Sequence, residues 1–289
     1  MHTDLKYFST TELAHLLGVH ASTIKRWTEE GKLDCIKTAG GHRKFTFQHV
    51  ARFLEERRDT SDRANLLPIQ SDEDLRISYE IMKNNQAFLR EYIFTQALQR
   101  RRKQVDKVLT GLYLAQYPLA RIYDDILTPV LHTLGDRWEA GDVSILEEHI
   151  VSQTLRDVII RLQGMLALPE ETRGNVLCLS LTSELHDIAI KMVDHVLEEA
   201  GFTVLFTGQI SPLYGIEPLL QRYEIRQLYL SSTYVPDPER AAFELNYLYD
   251  QCRSNEVEII VGGQGFETLN YDHPAVKARL QRFRELLAN

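Results

Sequence analysis

Beyond residue 174 short apolar runs alternate with amphipathic segments, and few folds accept that order. The runs are Val176-Leu177-Cys178-Leu179, Val204-Leu205-Phe206, Leu228-Tyr229-Leu230 and Glu258-Ile259-Ile260-Val261. The segments between them span 188–200, 213–223 and 238–252. Runs this short, bounded by polar residues, read as strands buried on both faces. Strand then helix then strand implies a parallel sheet closed by right-handed crossovers. The tail after Gly265 is short: Phe266-Glu267-Thr268-Leu269 reads as a brief fifth strand, and a helix is expected from about Pro274.

Upstream the texture differs. From about 75 to 167 apolar residues recur at helical spacing, as in Leu127, Val130, Leu131 and Leu134, and again in Ile150, Leu155, Val158 and Leu162. That stretch reads as roughly four helices. Before it the pattern breaks at Asp59-Thr60-Ser61-Asp62-Arg63, Pro68 and Ser71-Asp72-Glu73-Asp74, which reads as a linker. The expected map is a multidomain chain: an N-terminal winged helix-turn-helix at 1–58, a linker at 59–74, a central four-helix bundle at 75–168, and a C-terminal α/β Rossmann-like parallel sheet at 174–289.

Composition removes several classes. Of 289 residues 44% are apolar and 26% charged, so the chain as a whole is neither disordered nor of low complexity. No apolar run exceeds four residues, so no transmembrane helix is expected, and the start lacks a basic-then-apolar signal segment. Cys35, Cys178 and Cys252 lie far apart without a CxxC, as suits reduced thiols in a cytoplasmic protein. The net charge of −8 is unevenly spread: residues 1–60 hold ten Lys/Arg and eight Asp/Glu, a net of +2, which leaves −10 on the remainder. Five of the ten histidines also fall in those 60 residues. An excess of +2 does not by itself make a DNA-binding surface.

The first 60 residues do so by pattern. Ser9 to Leu17 reads as a capped short helix, Gly18-Val19-His20 as a turn, and Ser22 as the cap of a second helix over Thr23 to Gly31. Ile24 and Trp27, three apart, belong to the core face. That turns Ser22, Thr23, Lys25 and Arg26 outward, where short polar and basic side chains meet base edges and phosphates. Gly40-Gly41 permits a hairpin tip, followed by His42-Arg43-Lys44 and then Phe45 returning to the core. A basic wing of this kind fixes register on phosphates. Thr46 starts a last helix with Val50, Phe53 and Leu54 on one side. His15, His20 and His49 show no partner pattern. One small module buries little surface on DNA, so pairing of modules as a dimer or tetramer on a double-stranded operator is expected.

Three features in the remainder carry chemistry. Trp138 precedes Glu148-His149 by nine residues across a Gly141-Asp142-Val143-Ser144 turn, so an aromatic, an acid and an imidazole fall at facing helix ends. Glu184-Leu185-His186-Asp187 follows the first strand, where open α/β sheets bind ligands and an imidazole can offer a lone pair to a metal. The third and fourth strands end in Ser231-Ser232-Thr233 and Gly262-Gly263, where small residues let a ligand approach the backbone.

Thr-Ile-Lys-Arg-Trp and Gly-Gly-His-Arg-Lys-Phe resemble the winged helix-turn-helix of MerR-type and excisionase-type regulators. Glu184 with His186, Ser231 with Thr233, and Gly262-Gly263 resemble the motifs of the cobalamin-binding domain of methionine synthase and mutases. Trp-x9-Glu-His behind a MerR-type head resembles the light-responsive cobalamin repressors of the CarH/LitR type. That resemblance implies a non-enzymatic, cobalamin-dependent repressor and photoreceptor, with adenosylcobalamin favoured. His186 would be the lower axial ligand to cobalt. Ser231, Gly262 and Gly263 would line the slot for the nucleotide tail, and Trp138, Glu148 and His149 would pack over the upper face. Cofactor would hold the DNA-binding oligomer in the dark, and light would cleave the cobalt–carbon bond and dissociate it. Two departures stand: Ala189 occupies a usual glycine position, and Glu139 follows Trp138 where light-sensing relatives can carry a histidine that becomes a second cobalt ligand. Two other readings stay open. One is a repressor whose cobalamin-type domain holds no cofactor and binds a partner or antagonist protein or another ligand. The other is a corrinoid carrier enzyme, which would need a substrate domain that this length does not provide.

Overall fold

The computed structural model describes residues 7–17, 19–46, 49–50, 52–53, 71–181, 184–267, 269 and 272–287. The chain divides into two units: Met1–Pro118 with Asp125–Leu155, and Leu119–Asp124 with Arg156–Asn289.

The first unit opens with β1 (Phe8–Ser9) and α1 (Thr10–Leu16). Ser9 and Glu12 form a reciprocal capping box: the Glu12 carboxylate accepts the Ser9 N–H at 2.9 Å, and the Ser9 hydroxyl accepts the Glu12 N–H at 3.2 Å. The second helix, α2, covers Ala21–Glu29. Its cap is His20, whose Nδ1 accepts the Ser22 N–H and lies 2.8 Å from the Ser22 hydroxyl. The helix therefore begins before the expected Ser22 cap, because an imidazole nitrogen takes the orphan donor. Ile24 and Trp27 are buried as their spacing predicts. They share a core with Phe8, Leu13, Leu16, Phe45, Val50 and Phe53. Strands β2 (Ile36–Lys37) and β3 (Arg43–Phe45) form the wing hairpin, in a sheet of order β1-β3-β2. Its tip needs Gly41 at φ +76°, and the Thr38 carbonyl accepts the Gly41 N–H there. Thr46 and His49 bond reciprocally at the start of the next segment. Leu54 and residues 59–70 of the expected linker lie outside the described residues.

The remaining four expected linker residues are not linker. Ser71 caps α3 (Asp72–Met82), accepting the Asp74 N–H at 3.2 Å, and Asp72, Glu73 and Asp74 occupy its first turn, where the helix dipole favours acids. Leu75 on this helix is fully buried in the core of the head. Tyr79 meets Phe8 edge to face at 4.9 Å, and Lys83 pairs with Glu12. On its other side Asp74 pairs with Lys107, and Glu73 accepts the Tyr92 hydroxyl at 2.9 Å. The helix thus packs both on the head and on α4 (Gln86–Leu98) and α5 (Arg102–Leu114). After α6 (Leu119–Ile122) and a π-helical turn at Tyr123–Leu127 come α7 (Thr128–Glu139) and α8 (Ile145–Gln163). Leu127, Val130 and Leu134 are buried, as are Leu155, Val158 and Leu162. The chain crosses between units three times: between Pro118 and Leu119, within the π turn between Asp124 and Asp125, and within α8 between Leu155 and Arg156.

The second unit is a five-stranded parallel sheet of order β5-β4-β6-β7-β8. Its elements are β4 (Asn175–Ser180), α9 (Ile188–Glu199), β5 (Thr203–Phe206), α10 (Ile216–Arg222), β6 (Gln227–Ser231), α11 (Pro238–Ser254), β7 (Glu258–Gly262) and β8 (Val276–Leu280). The first four strands fall on the expected runs, and each pair in the sheet is parallel. The fifth does not: Gln264–Glu267 is a 3-10 turn, and the strand is Val276–Leu280, where a helix was expected. Val276-Lys277-Ala278-Arg279-Leu280 alternates apolar with basic, which suits pairing along the edge of β7. The sheet core runs from Leu177 and Leu179 through Leu228, Leu230, Ile259 and Val261 to Leu245 and Leu248, with Tyr249 and Phe266 added to its aliphatic side chains. From β4 the chain goes first to one neighbouring strand and then to the other, so the strand order reverses between β4 and β6. Crevices at such switch points are where open α/β sheets bind ligands.

Candidate functional site

Ser180, Ser231 and Gly262 lie in register, so β4, β6 and β7 end at one level beside the switch point. The loop after β4 alternates sharply. Glu184 and Asp187 are buried, while Leu185 is exposed and the His186 side chain is 58% exposed. Glu184 is the organising group. One carboxylate oxygen accepts the His186 Nδ1–H and the His186 backbone N–H, both at 2.7 Å. The other accepts the backbone N–H groups of Thr233 and Tyr234 from the loop after β6. Burial pushes its carboxyl up, but the His186 ring and these three backbone donors outweigh burial and hold it below the ordinary range. Glu184 is therefore a carboxylate that joins two loops across the switch point. A ring that donates Nδ1–H to a carboxylate carries its basic lone pair on Nε2, the arrangement by which imidazoles ligate metals.

Ser231 is buried beneath this loop, and Thr233 takes part through its backbone N–H. Gly263 has φ +100°, and a Cβ there would lie 2.2 Å from the Ser232 carbonyl oxygen. A Cβ at Gly265 would lie 2.5 Å from the Ser232 hydroxyl. What these glycines accommodate is the close approach of the β7 end to Ser232, whose N–H bonds Gly262 and whose carbonyl accepts the Gly265 N–H. The sequence motif is thus explained first by packing of one strand end on another, which shapes the crevice floor. Gly262 itself has room: a Cβ added there would lie 3.4 Å from its nearest neighbour, the Leu280 carbonyl oxygen.

In the first unit Trp138 ends α7 and is 47% exposed. Glu148 and His149 fall in the first turns of α8, and their side chains are bonded to each other at 2.5 Å. Ser152 donates to the other Glu148 oxygen. Ile145 and Leu146 nearby are also exposed, so this helix start presents apolar surface together with an imidazole.

On the head, Ser22, Lys25, Arg26 and His42 are exposed, and Thr23 and Lys44 are half-buried. Arg43 differs from its expected outward role. Its Nε donates to the Thr28 hydroxyl and its other nitrogen to Glu29, both at 2.9 Å, which ties the wing to α2. Sequence reasoning also missed Arg156 and Asp187. Arg156 on α8 grips Asp187 with Nε at 3.0 Å from both oxygens and a second nitrogen at 2.8 Å from one. Thirty-one positions separate the two, and no spacing rule links them. Among the described residues no group of three or more His, Cys, Asp or Glu is placed to hold a bare metal ion.

The donor set fits a cobalt-bearing macrocycle. One imidazole is fixed through Nδ1 by a buried carboxylate beside the switch point, so the remaining nitrogen would be free to ligate a metal.

Comparison with known proteins bears on the domains. A family model described as a helix-turn-helix domain matches residues 7–58, and one described as a B12 binding domain matches residues 89–163. The second match lies on α4 to α8, the helical stretch ahead of the sheet. The chain is similar to the HTH-type transcriptional repressor CarH of Myxococcus xanthus, at 27% identity over 211 residues, covering 69% of this chain and 70% of that protein. It is also similar to the monomethylamine corrinoid protein of Methanosarcina barkeri, with a TM-score of 0.58 and 13% identity over 70% of this chain and 96% of that one. At that identity the likeness is one of fold. The chain carries a helix-turn-helix domain, a helical B12-binding domain and a Rossmann-like parallel sheet. Among the described residues no helix is long and apolar enough to cross a membrane.

Proposed function

We propose that this protein is a cobalamin-dependent transcriptional regulator, a repressor in which adenosylcobalamin controls self-association and binding to double-stranded DNA, and that it responds to light. The observation that carries the proposal is the Glu184–His186 pair at the switch point, downstream of a helix-turn-helix head in the same chain. Bound cobalamin supplies a cobalt–carbon bond that light can break. His186, kept in its Nδ1–H tautomer by Glu184, would hold the cobalt through Nε2. Ser231, Thr233, Gly262 and Gly263 would receive the nucleotide tail at the strand ends. Trp138, Glu148 and His149, with their exposed aromatic and imidazole surface, would meet the adenosyl group. Ser22, Thr23, Lys25, Arg26, His42 and Lys44 meet the DNA, and Arg43 holds the wing against the recognition helix. The partner across the DNA-bound assembly is a second copy of the chain, which supplies the phosphate contacts that one head lacks. The similarity to the CarH repressor supports this reading over that of a corrinoid carrier enzyme.

The test is an absorption spectrum of the purified protein mixed with adenosylcobalamin in darkness, desalted, and then illuminated, with size-exclusion chromatography on both samples. Retained corrin absorbance, a His186→Ala spectrum that lacks the histidine-ligated form, and a fall in size on illumination support the proposal. A protein that retains no corrin refutes it and leaves a DNA-binding repressor with another ligand.

A further inference from the structure

Asp187 is the N-cap residue of α9, yet its side chain makes no capping bond. Aspartate at that position ordinarily accepts a backbone N–H of the first turn. Here both carboxylate oxygens go to the Arg156 guanidinium instead, in a forked geometry that only arginine provides. The Asp187 side chain is 4% exposed, and Arg156 is its ion-pair partner there. The loop carrying His186 is therefore fastened on both sides of the exposed ring. Glu184 ties it to the loop after β6, and Asp187 ties it to α8.

The same helix carries Glu148 and His149. His149 precedes Arg156 by seven positions, which is close to two helical turns, so both fall on one stripe about 10 Å apart along the axis. Glu148, His149 and the residue that clamps the His186 loop therefore lie on one continuous helix.

Resting on the function proposed above, we propose that Arg156 is a positioning residue that pins the His186 loop to α8, so that a displacement of α8 changes how firmly His186 is held. The pin is a property of the protein without cofactor.

The experiment uses the full chain with Arg156→Met, Arg156→Lys, Asp187→Asn and the double variant Arg156→Met/Asp187→Asn. Hydrogen exchange of the cofactor-free proteins reads the pin directly. Amides of residues 184–187 in Arg156→Met are expected to exchange at least tenfold faster than in the unaltered chain, with Arg156→Lys between them and amides of β7 unchanged. With adenosylcobalamin in darkness, Arg156→Met is expected to shift the spectrum toward the form lacking histidine ligation and to weaken retention at least tenfold. The double variant is expected to be no worse than the single ones. Unchanged exchange in the 184–187 loop overturns the inference, as do additive effects in the double variant. An unaltered chain that takes up no corrin refutes the proposed function, while the exchange result still decides whether Arg156 pins the loop. If Arg156→Met does not fold, Arg156→Lys carries the comparison, because a single ammonium does not reproduce the planar two-nitrogen fork on Asp187.

Discussion

Glu184→Gln is the perturbation that most sharply separates structural from ligand-binding roles at the crevice. The buried carboxylate accepts four bonds: two from His186 and one each from Thr233 and Tyr234. A glutamine carbonyl keeps one pair, while its amide group turns N–H against the donors of the other. Hydrogen bonds to a charged group are worth about 1.5–3 kcal/mol each, and two are lost with partial relaxation, so a cost of about 3 kcal/mol is expected. In a unit of this size that corresponds to a fall of roughly 6–12 °C in Tm. His186→Ala removes the ring bond to Glu184 from an exposed side chain, and about 1 kcal/mol is expected. Calorimetry of the cofactor-free chain at pH 7 checks both. The pH dependence is a second readout. Because the folded carboxyl sits below its ordinary value of 4.5, its contribution is fully present above that value and is lost as pH falls through the folded pKa. The gap between the unaltered chain and Glu184→Gln should therefore be widest near neutrality and close in acid. A Glu184→Gln protein that melts within about 1 °C of the original, or a His186→Ala that is the less stable of the two, would refute the reasoning.

Other outcomes follow from the same geometry. Gly263→Ala sets a Cβ 2.2 Å from the Ser232 carbonyl at a left-handed backbone angle and should cost about 3 kcal/mol or more, whereas Gly262→Ala should cost under about 1 kcal/mol in a thermal melt. Lys25→Ala and Arg26→Ala should each lower the salt dependence of DNA binding by about one in the log–log slope, measured by fluorescence anisotropy. Arg43→Ala should weaken binding chiefly by loosening the wing, seen as faster exchange of β3 amides. Tyr79→Ala removes the edge-to-face contact with Phe8, worth about 0.5–1.5 kcal/mol beyond its buried area, and should speed amide exchange in α1 and α3 while leaving the sheet β4–β8 protected.

Much of this architecture is legible from periodicity. The buried strands of the sheet announce themselves as apolar runs because both of their faces are covered, and Ile24 with Trp27 fixes the inward face of α2. The edge strand Val276–Leu280 escaped because Lys277 and Arg279 break its apolar run, and the proline before it reads as a helix start. Ser71-Asp72-Glu73-Asp74 looks like a linker by polarity but is a cap followed by an acidic first turn, a signal that depends on position rather than composition. At the site, Glu184 and His186 are two residues apart and visible together. The Thr233 and Tyr234 amides and the Arg156–Asp187 fork are not, since backbone donors carry no sequence identity and long-range pairs leave no spacing. The Gly262-Gly263 pair was legible as a close approach, but the group approached is Ser232 of the same sheet.

The central claim is that one small molecule governs DNA binding by this chain. The direct measurement is recovery of duplexes from a randomised DNA pool by the protein alone, by the protein loaded with adenosylcobalamin in darkness, and by the loaded protein after illumination. Enrichment of a symmetric sequence is expected only in the dark, loaded sample, with His186→Ala recovering no more than the protein alone. Equal recovery in all three samples would contradict it.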